Sequence, residues 1–181
     1  MKRWFLVVFF SVFASGCGTT TLRLAAGPEL DSEGSGGFDV MLGLGIGSPL
    51  DFMSRSHHFV QLHADAGGGK TGQRGDGQFS ALAGGDYIYW AEPRLVMRTG
   101  VLFGYRAIWD DSKDGADLFG IGGHLALLPI VKTYDGGPII MLLNLGPDVR
   151  VLSYGSDGKH PGGATFSIPL TAEINILAVG D

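Results

Sequence analysis

One cysteine in 181 residues leaves no partner for an internal disulfide and too few thiolates for a cysteine-rich zinc site. Charge is sparse as well. Only 17% of residues are Asp, Glu, Lys or Arg, against 45% hydrophobic, which is too apolar for a disordered chain. The charges present, 13 basic against 18 acidic for a formal net of −5, lack the basic surplus of a nucleic-acid binder. No apolar run reaches the ~20 residues of a membrane-spanning helix. Glycine is the one residue in excess, at 31 copies, and with no Gly-X-Y period it does not describe collagen. The length suits one domain.

Lys2 and Arg3 precede an apolar run over residues 4–13, and Ala14-Ser15-Gly16-Cys17 follows. A positive start, a short greasy stretch and small residues at a cut site form the layout of a secretory signal. The reading is a signal peptide over 1–16 and a single domain over 17–181. Cys17 directly after three small residues resembles the lipobox of bacterial lipoproteins, with Ala14 where that motif usually has Leu. The resemblance implies lipid attachment at Cys17. Gly18, in place of the Asp that holds such proteins at the inner membrane, implies the outer membrane. Plain cleavage at the same bond, with Cys17 unmodified, is the alternative.

The rest of the chain alternates in polarity with period two. Phe166, Ile168, Leu170, Ala172, Ile174 and Ile176 share one parity, and Thr165, Ser167, Thr171, Glu173 and Asn175 the other. A helix would space its apolar residues by three and four, so this is a two-faced strand. Leu95, Met97, Val101, Phe103, Tyr105 and Trp109 stand against Arg94, Arg98, Gly104 and Arg106. Ile139, Met141, Leu143, Leu145, Val149 and Val151 stand against Asn144, Gly146, Asp148 and Arg150. Eight strands are expected near 19–26, 37–47, 57–66, 78–90, 94–109, 118–133, 138–154 and 164–179. Pro129, Pro147 and Pro169 fall inside them and call for bulges or strand ends.

Glycine-rich, charged connections over 31–37, 67–77, 110–117 and 155–163 alternate with short ones at 91–93 and 135–137, while 48–56 breaks the rule. Long loops at one end and tight turns at the other mark an up-and-down barrel of the outer-membrane kind. Opposite the apolar stripes lie Asp86, Arg98, Arg106, His124, Asp148, Arg150, Glu173 and Asn175. With five lysines and four glutamates in the whole chain, that face is too poor in charge for a water-exposed barrel wall. The expectation is therefore a lumen polar network of Asp86, Arg98, Arg106, His124, Asp148, Arg150 and Glu173. Glycines such as Gly104, Gly120, Gly122 and Gly146 would make room for it. A turn at 91–93 sets Asp86 opposite Arg98. Tyr87, Tyr89 and Tyr134 are expected at one interfacial rim, and Tyr105, Trp109 and Tyr154 at the other.

On this architecture the chain over 17–181 resembles the small eight-stranded bacterial outer-membrane barrel proteins. The resemblance implies an all-β, antiparallel meander barrel that crosses the outer membrane of a Gram-negative bacterium, lipid-anchored, with its long loops outward. It implies no enzyme activity and no cofactor. Its partners are membrane lipid and, through the loops, an envelope or extracellular partner. The end Ala178-Val179-Gly180-Asp181 lacks that family's terminal aromatic and keeps open a soluble periplasmic β-barrel lipoprotein that binds an apolar ligand. A small pore is the other alternative, and a lipid-acting enzyme using Ser56 and the nearby histidines is a further one.

Weaker motifs have plainer readings. Gly69-Lys70-Thr71 matches the end of a phosphate loop, but the glycine-rich stretch after it cannot hold the helix that motif needs, so a flexible loop is expected. Arg74-Gly75-Asp76 is too short to assign adhesion. Asp110, Asp111, Asp114 and Asp117 imitate a calcium loop whose twelfth position is Ile121 rather than Glu, leaving at most weak divalent binding. His57, His58 and His63 have no carboxylate at a telling spacing and are expected at the surface or rim.

Overall fold

A computed structural model describes residues 18–32, 34–50, 57–71, 77–91, 94–109, 115–136, 139–156 and 162–178. Nine strand segments follow one another: β1 Gly18–Asp31, β2 Gly36–Pro49, β3 His58–Lys70, β4 Gly77–Ala91, β5 Leu95–Trp109, β6 Ala116–Asp135, β7 Ile139–Tyr154, β8 Gly163–Ser167 and β9 Leu170–Ala178. Each of β1 to β7 pairs antiparallel with the next, and β8 and β9 close the ring between β7 and β1. The result is a closed, eight-stranded, antiparallel meander barrel. No helix occurs among the described residues.

The last two segments are halves of one eighth strand. Glu29 pairs with Ser167 and Ala26 with Leu170, so the register runs on unbroken across the gap. Pro169 interrupts the ladder because it has no N–H to give, and Pro28 stands across from the same gap. Its opposite position is Gly27, where a side chain would strike the Pro169 backbone. Pro129 and Pro147 similarly interrupt the ladder between β6 and β7, whose register then shifts between Ile130 and Lys132. The three prolines thus produce one strand break and one gap followed by a bulge, and the barrel still closes.

The strands run further than their hydrophobic pattern indicates. The segment Gly67-Gly68-Gly69-Lys70, read as loop, belongs to β3, and Ala116 and Asp117 begin β6. Glycine weakens a strand only modestly, and here Gly67 and Gly69 let the β2 backbone come close, since a side chain at either would overlap it. Connections at the end away from Gly18 and Ala178 shrink to 32–35, 71–76, 110–115 and 155–162, and the alternation of long and short is weaker than expected. The first of them is a tight hairpin. Gly34 takes φ +80°, its N–H donates to Asp31 O at 3.0 Å, and the Ser35 N–H donates to the Asp31 carboxylate at 2.8 Å.

Facing follows parity throughout. The outward row of β2, Phe38, Val40, Leu42, Leu44 and Ile46, is exposed, while Met41, Gly43 and Gly45 point inward. Leu62 is 68% exposed and Phe119 71%, although both belong to hydrogen-bonded strands. Inward positions carry Arg, Asp, His, Gln and Asn at a few per cent exposure. Tyr87, Tyr89, Tyr134 and Trp109 are exposed outward, as an interfacial rim requires. Tyr154 is the exception: it is 5% exposed and faces the lumen, its even position sharing parity with Leu152 and Arg150. Arg94, expected beside Arg98, lies exposed in the β4–β5 turn.

Candidate functional site

Reading the inward positions along β4, β5 and β6 gives the same three layers. In β4 the order is Leu82, Asp86, Ile88; in β5 it is Val96, Arg98, Leu102; in β6 it is Leu118, His124, Leu128. One apolar cluster, including Met41, Leu82, Leu102, Leu118, Leu152 and Tyr154, fills the lumen toward the 32–35 and 110–115 connections. A second, including Phe59, Ile88, Val96, Leu128, Leu142 and Leu177, fills it toward the two chain ends. The ions lie between two greasy plugs.

Arg98 is at the centre and is 1% exposed. Its Nη1 donates to Glu173, its Nη2 to Asp148 Oδ2 at 3.2 Å, and its Nε lies 3.5 Å from Asp86 Oδ2. Arg23 reaches across from β1, donating to Glu173 Oε1 and to Asp65 Oδ2, both at 2.9 Å. Arg150 donates through Nε to Asp148 Oδ2 at 3.0 Å and through Nη1 to the Met41 sulfur at 3.4 Å. His124 stands between Asp86 Oδ1, 2.8 Å from Nε2, and Asp148 Oδ1, 3.0 Å from Nδ1. His63 points Nδ1 at Asp86 Oδ2, 3.0 Å away, and its ring meets that of His124 edge-on at 5.8 Å. Buried ions are tolerable only when each has counter-charges and hydrogen bonds of its own; Asp86, Asp148 and Glu173 each meet two or more basic side chains, and Asp65 meets Arg23.

Glycine creates the space. A side chain at Gly43 would land on the Asp65 carboxylate, one at Gly45 on Gln61, and one at Gly84 or Gly100 on neighbouring backbone and on His63 or Asp86. Eight strands enclose a lumen only just filled by side chains, so each long polar group needs a hydrogen-only neighbour.

Six of the seven residues expected in a polar network therefore converge: Asp86, Arg98, His124, Asp148, Arg150 and Glu173. Arg106 also faces the lumen but sits nearer its mouth, level with the plug residues Leu118 and Tyr154, donating to Glu29 at 2.7 Å and lying over the Tyr154 ring at 4.5 Å. Asp86 and Arg98 form an ion pair, 3.5 Å from Nε to Oδ2, but they do not stand opposite each other in register. The turn centres one residue later, Ala91 pairs with Leu95, and so Asp86 stands opposite Gly100 and Arg98 opposite Ile88. A slip of two preserves the face, and the groups still meet diagonally.

Arg23, Asp65 and His63 are cluster members that the sequence reading passed over. His63, expected at the rim, is buried in the lumen. Their signal was parity: Arg23 stands between Leu22 and Leu24 in β1, and Gln61, His63 and Asp65 alternate with apolar residues in β3. His58 is partly exposed outward, its ring stacked on Tyr87 and Tyr89. His57 packs edge-on to Trp90. Cys17, Ser56, Arg74-Gly75-Asp76, Asp110, Asp111 and Asp114 lie outside the described residues. Asp117 is in β6, not a loop, and accepts a hydrogen bond from the Tyr105 hydroxyl at 2.7 Å. Among the described residues no group of three or more His, Cys, Asp or Glu could hold a metal ion.

Near the mouth a cavity of about 30 Å³ is lined by Glu29, Asp39, Met41, Ser80, Arg106 and Arg150. About 10–15 Å³ accommodates one water, so the cavity takes water and nothing larger.

Packed lumen, apolar exterior and closed antiparallel sheet together define a small, solid β-barrel. Among solved structures the chain is similar to Neisserial surface protein A (NspA), with a TM-score of 0.56 over 88% of this chain and 96% of that one, at 12% identity. At that identity the likeness is one of fold. No protein-family model matches the chain, and no curated protein matches it.

Proposed function

We propose that this chain is a non-enzymatic integral barrel of a bacterial outer membrane, anchored additionally by lipid on Cys17, with a structural or surface-interaction role carried by its connections. The observation behind it is the inverted polarity of the wall. Large side chains such as Leu42, Leu44, Leu62, Val101, Phe103 and Phe119 are 50–71% exposed, while arginines and carboxylates are enclosed. Soluble monomers rarely expose apolar patches beyond a few hundred Å², whereas a continuous apolar belt is what hydrocarbon requires. A strand of 14 residues, as in β1, rises about 46 Å and, tilted by about 45°, covers roughly 30 Å, the thickness of a bilayer core. The likeness in fold to a surface protein supports the same reading.

In this arrangement Gly18 and Ala178 lie at the periplasmic rim, within reach of a lipid on Cys17, and the 32–35, 71–76, 110–115 and 155–162 connections face outward. The alternatives fare worse. An apolar ligand would need space in a lumen already filled by two plugs and an ionic cluster, and a pore would need a path through both.

The test is envelope fractionation of the Cys17→Ser variant with alkaline carbonate extraction and heat-dependent gel mobility. The reading expects the variant to stay with the membrane and to migrate differently before and after boiling. Release as a soluble periplasmic protein contradicts it.

A further inference from the structure

His124 presents both ring nitrogens to carboxylate oxygens, Nε2 to Asp86 at 2.8 Å and Nδ1 to Asp148 at 3.0 Å. A neutral imidazole has one N–H and one lone pair. One of its two contacts would then set a lone pair against a carboxylate, which is repulsive in a buried site. An imidazolium donates to both. The charge count of the cluster leads independently to the same state. Four carboxylates, Asp65, Asp86, Asp148 and Glu173, are joined by ion pairs to three guanidiniums, Arg23, Arg98 and Arg150. With neutral histidines this enclosed set is one negative charge in excess, and one added proton cancels it.

We propose that His124 is a built-in imidazolium, and that the central ion cluster binds one structural proton to reach neutrality. Every element around it agrees. β4 supplies Asp86, β7 supplies Asp148 and Arg150, β5 supplies Arg98, β3 supplies His63 and Asp65, and Arg23 and Glu173 close the cluster from β1 and β9. His63 is not the site. Only its Nδ1 is within hydrogen-bond distance of a carboxylate, Asp86 at 3.0 Å, while its Nε2 is 4.0 Å from Asp65. Apolar clusters lie on either side, and His124 is buried between them at 6% exposure. The proposal rests on lumen geometry and holds whether the barrel's surroundings are lipid or water.

The experiment is nitrogen NMR of the full barrel, labelled with ¹⁵N-histidine and folded in detergent micelles, with signals assigned through His57→Asn, His58→Asn, His63→Asn and His160→Asn variants. At pH about 8, where an exposed histidine has lost its second proton, both ring nitrogens of His124 are expected to carry protons. A lone-pair nitrogen signal from His124 at that pH overturns the proposal. A second measurement uses the temperature at which the folded gel band is lost. His124→Gln should lower it, and adding Asp86→Asn, which restores charge balance, should recover part of the loss. A double variant no more stable than His124→Gln alone also overturns it.

Discussion

Replacing Arg98 by methionine keeps a long unbranched chain in the lumen and removes one positive charge. Three carboxylates lose a partner at once, since Arg98 reaches Glu173, Asp148 and Asp86. Removing one member of a buried ion pair costs about 3–5 kcal/mol, because the remaining charge is left in a medium that solvates it poorly. Arg23 still reaches Glu173 at 2.9 Å and Arg150 still reaches Asp148, which holds the loss near 3 kcal/mol. That is about a hundredfold in the folding equilibrium. The assay is urea unfolding of the folded barrel, followed by tryptophan fluorescence and by gel mobility, for wild type, Arg98→Met and the double variant Arg98→Met with Glu173→Gln. The double variant should recover part of the loss, since a missing cation and a missing anion offset each other. An Arg98→Met barrel within about 0.5 kcal/mol of wild type, the range of an ordinary surface change, refutes the reasoning.

Further outcomes follow from the same layout. Gly100→Val places a side chain on the Asp86 carboxylate and the Gly85 carbonyl, so the variant should yield no heat-modifiable folded band. Leu102→Ala opens a hole in the plug, where Leu102 is 1% exposed, and should cost about 2–5 kcal/mol in urea unfolding. Its neighbour Val101 is 50% exposed outward at the middle of β5, and Val101→Arg should cost about 2–4 kcal/mol for folding into lipid vesicles. In planar bilayers the protein should give no conductance steps above background, because both lumen plugs are closed to anything larger than water.

The barrel was legible because period-two alternation is a property of the sequence itself: in β5, β7 and the final strand, parity alone separates exposed from buried positions. Strand ends were harder to read. Gly67-Gly68-Gly69-Lys70 has loop composition, yet it continues β3 because β2 and β4 supply the ladder on both sides. Tyr154 shows the limit of reading residue type before parity. An aromatic near a strand end looks like an interfacial anchor, but its position shares the face of Arg150, and Gly104 and Gly120 clear the room it fills. The ion cluster was legible as a list and not as a set of pairs. Which acid meets which base depends on register, and a turn that centres one residue later moves every partner by two. Arg23 passes unnoticed in its strand, and His63 reads as a rim residue, because their partners are up to 150 residues away, on strands that only closure of the barrel brings near.

The account stands on which face of the sheet meets hydrocarbon, and methyl NMR of the protein in lipid bilayer discs measures that directly. With Leu and Val methyls labelled, Leu44, Leu62 and Val101 should show magnetisation transfer to lipid acyl chains and none to water. Leu102, Leu128 and Leu142 should show transfer to neither. Water contact at the first group, or acyl contact at the second, contradicts the account.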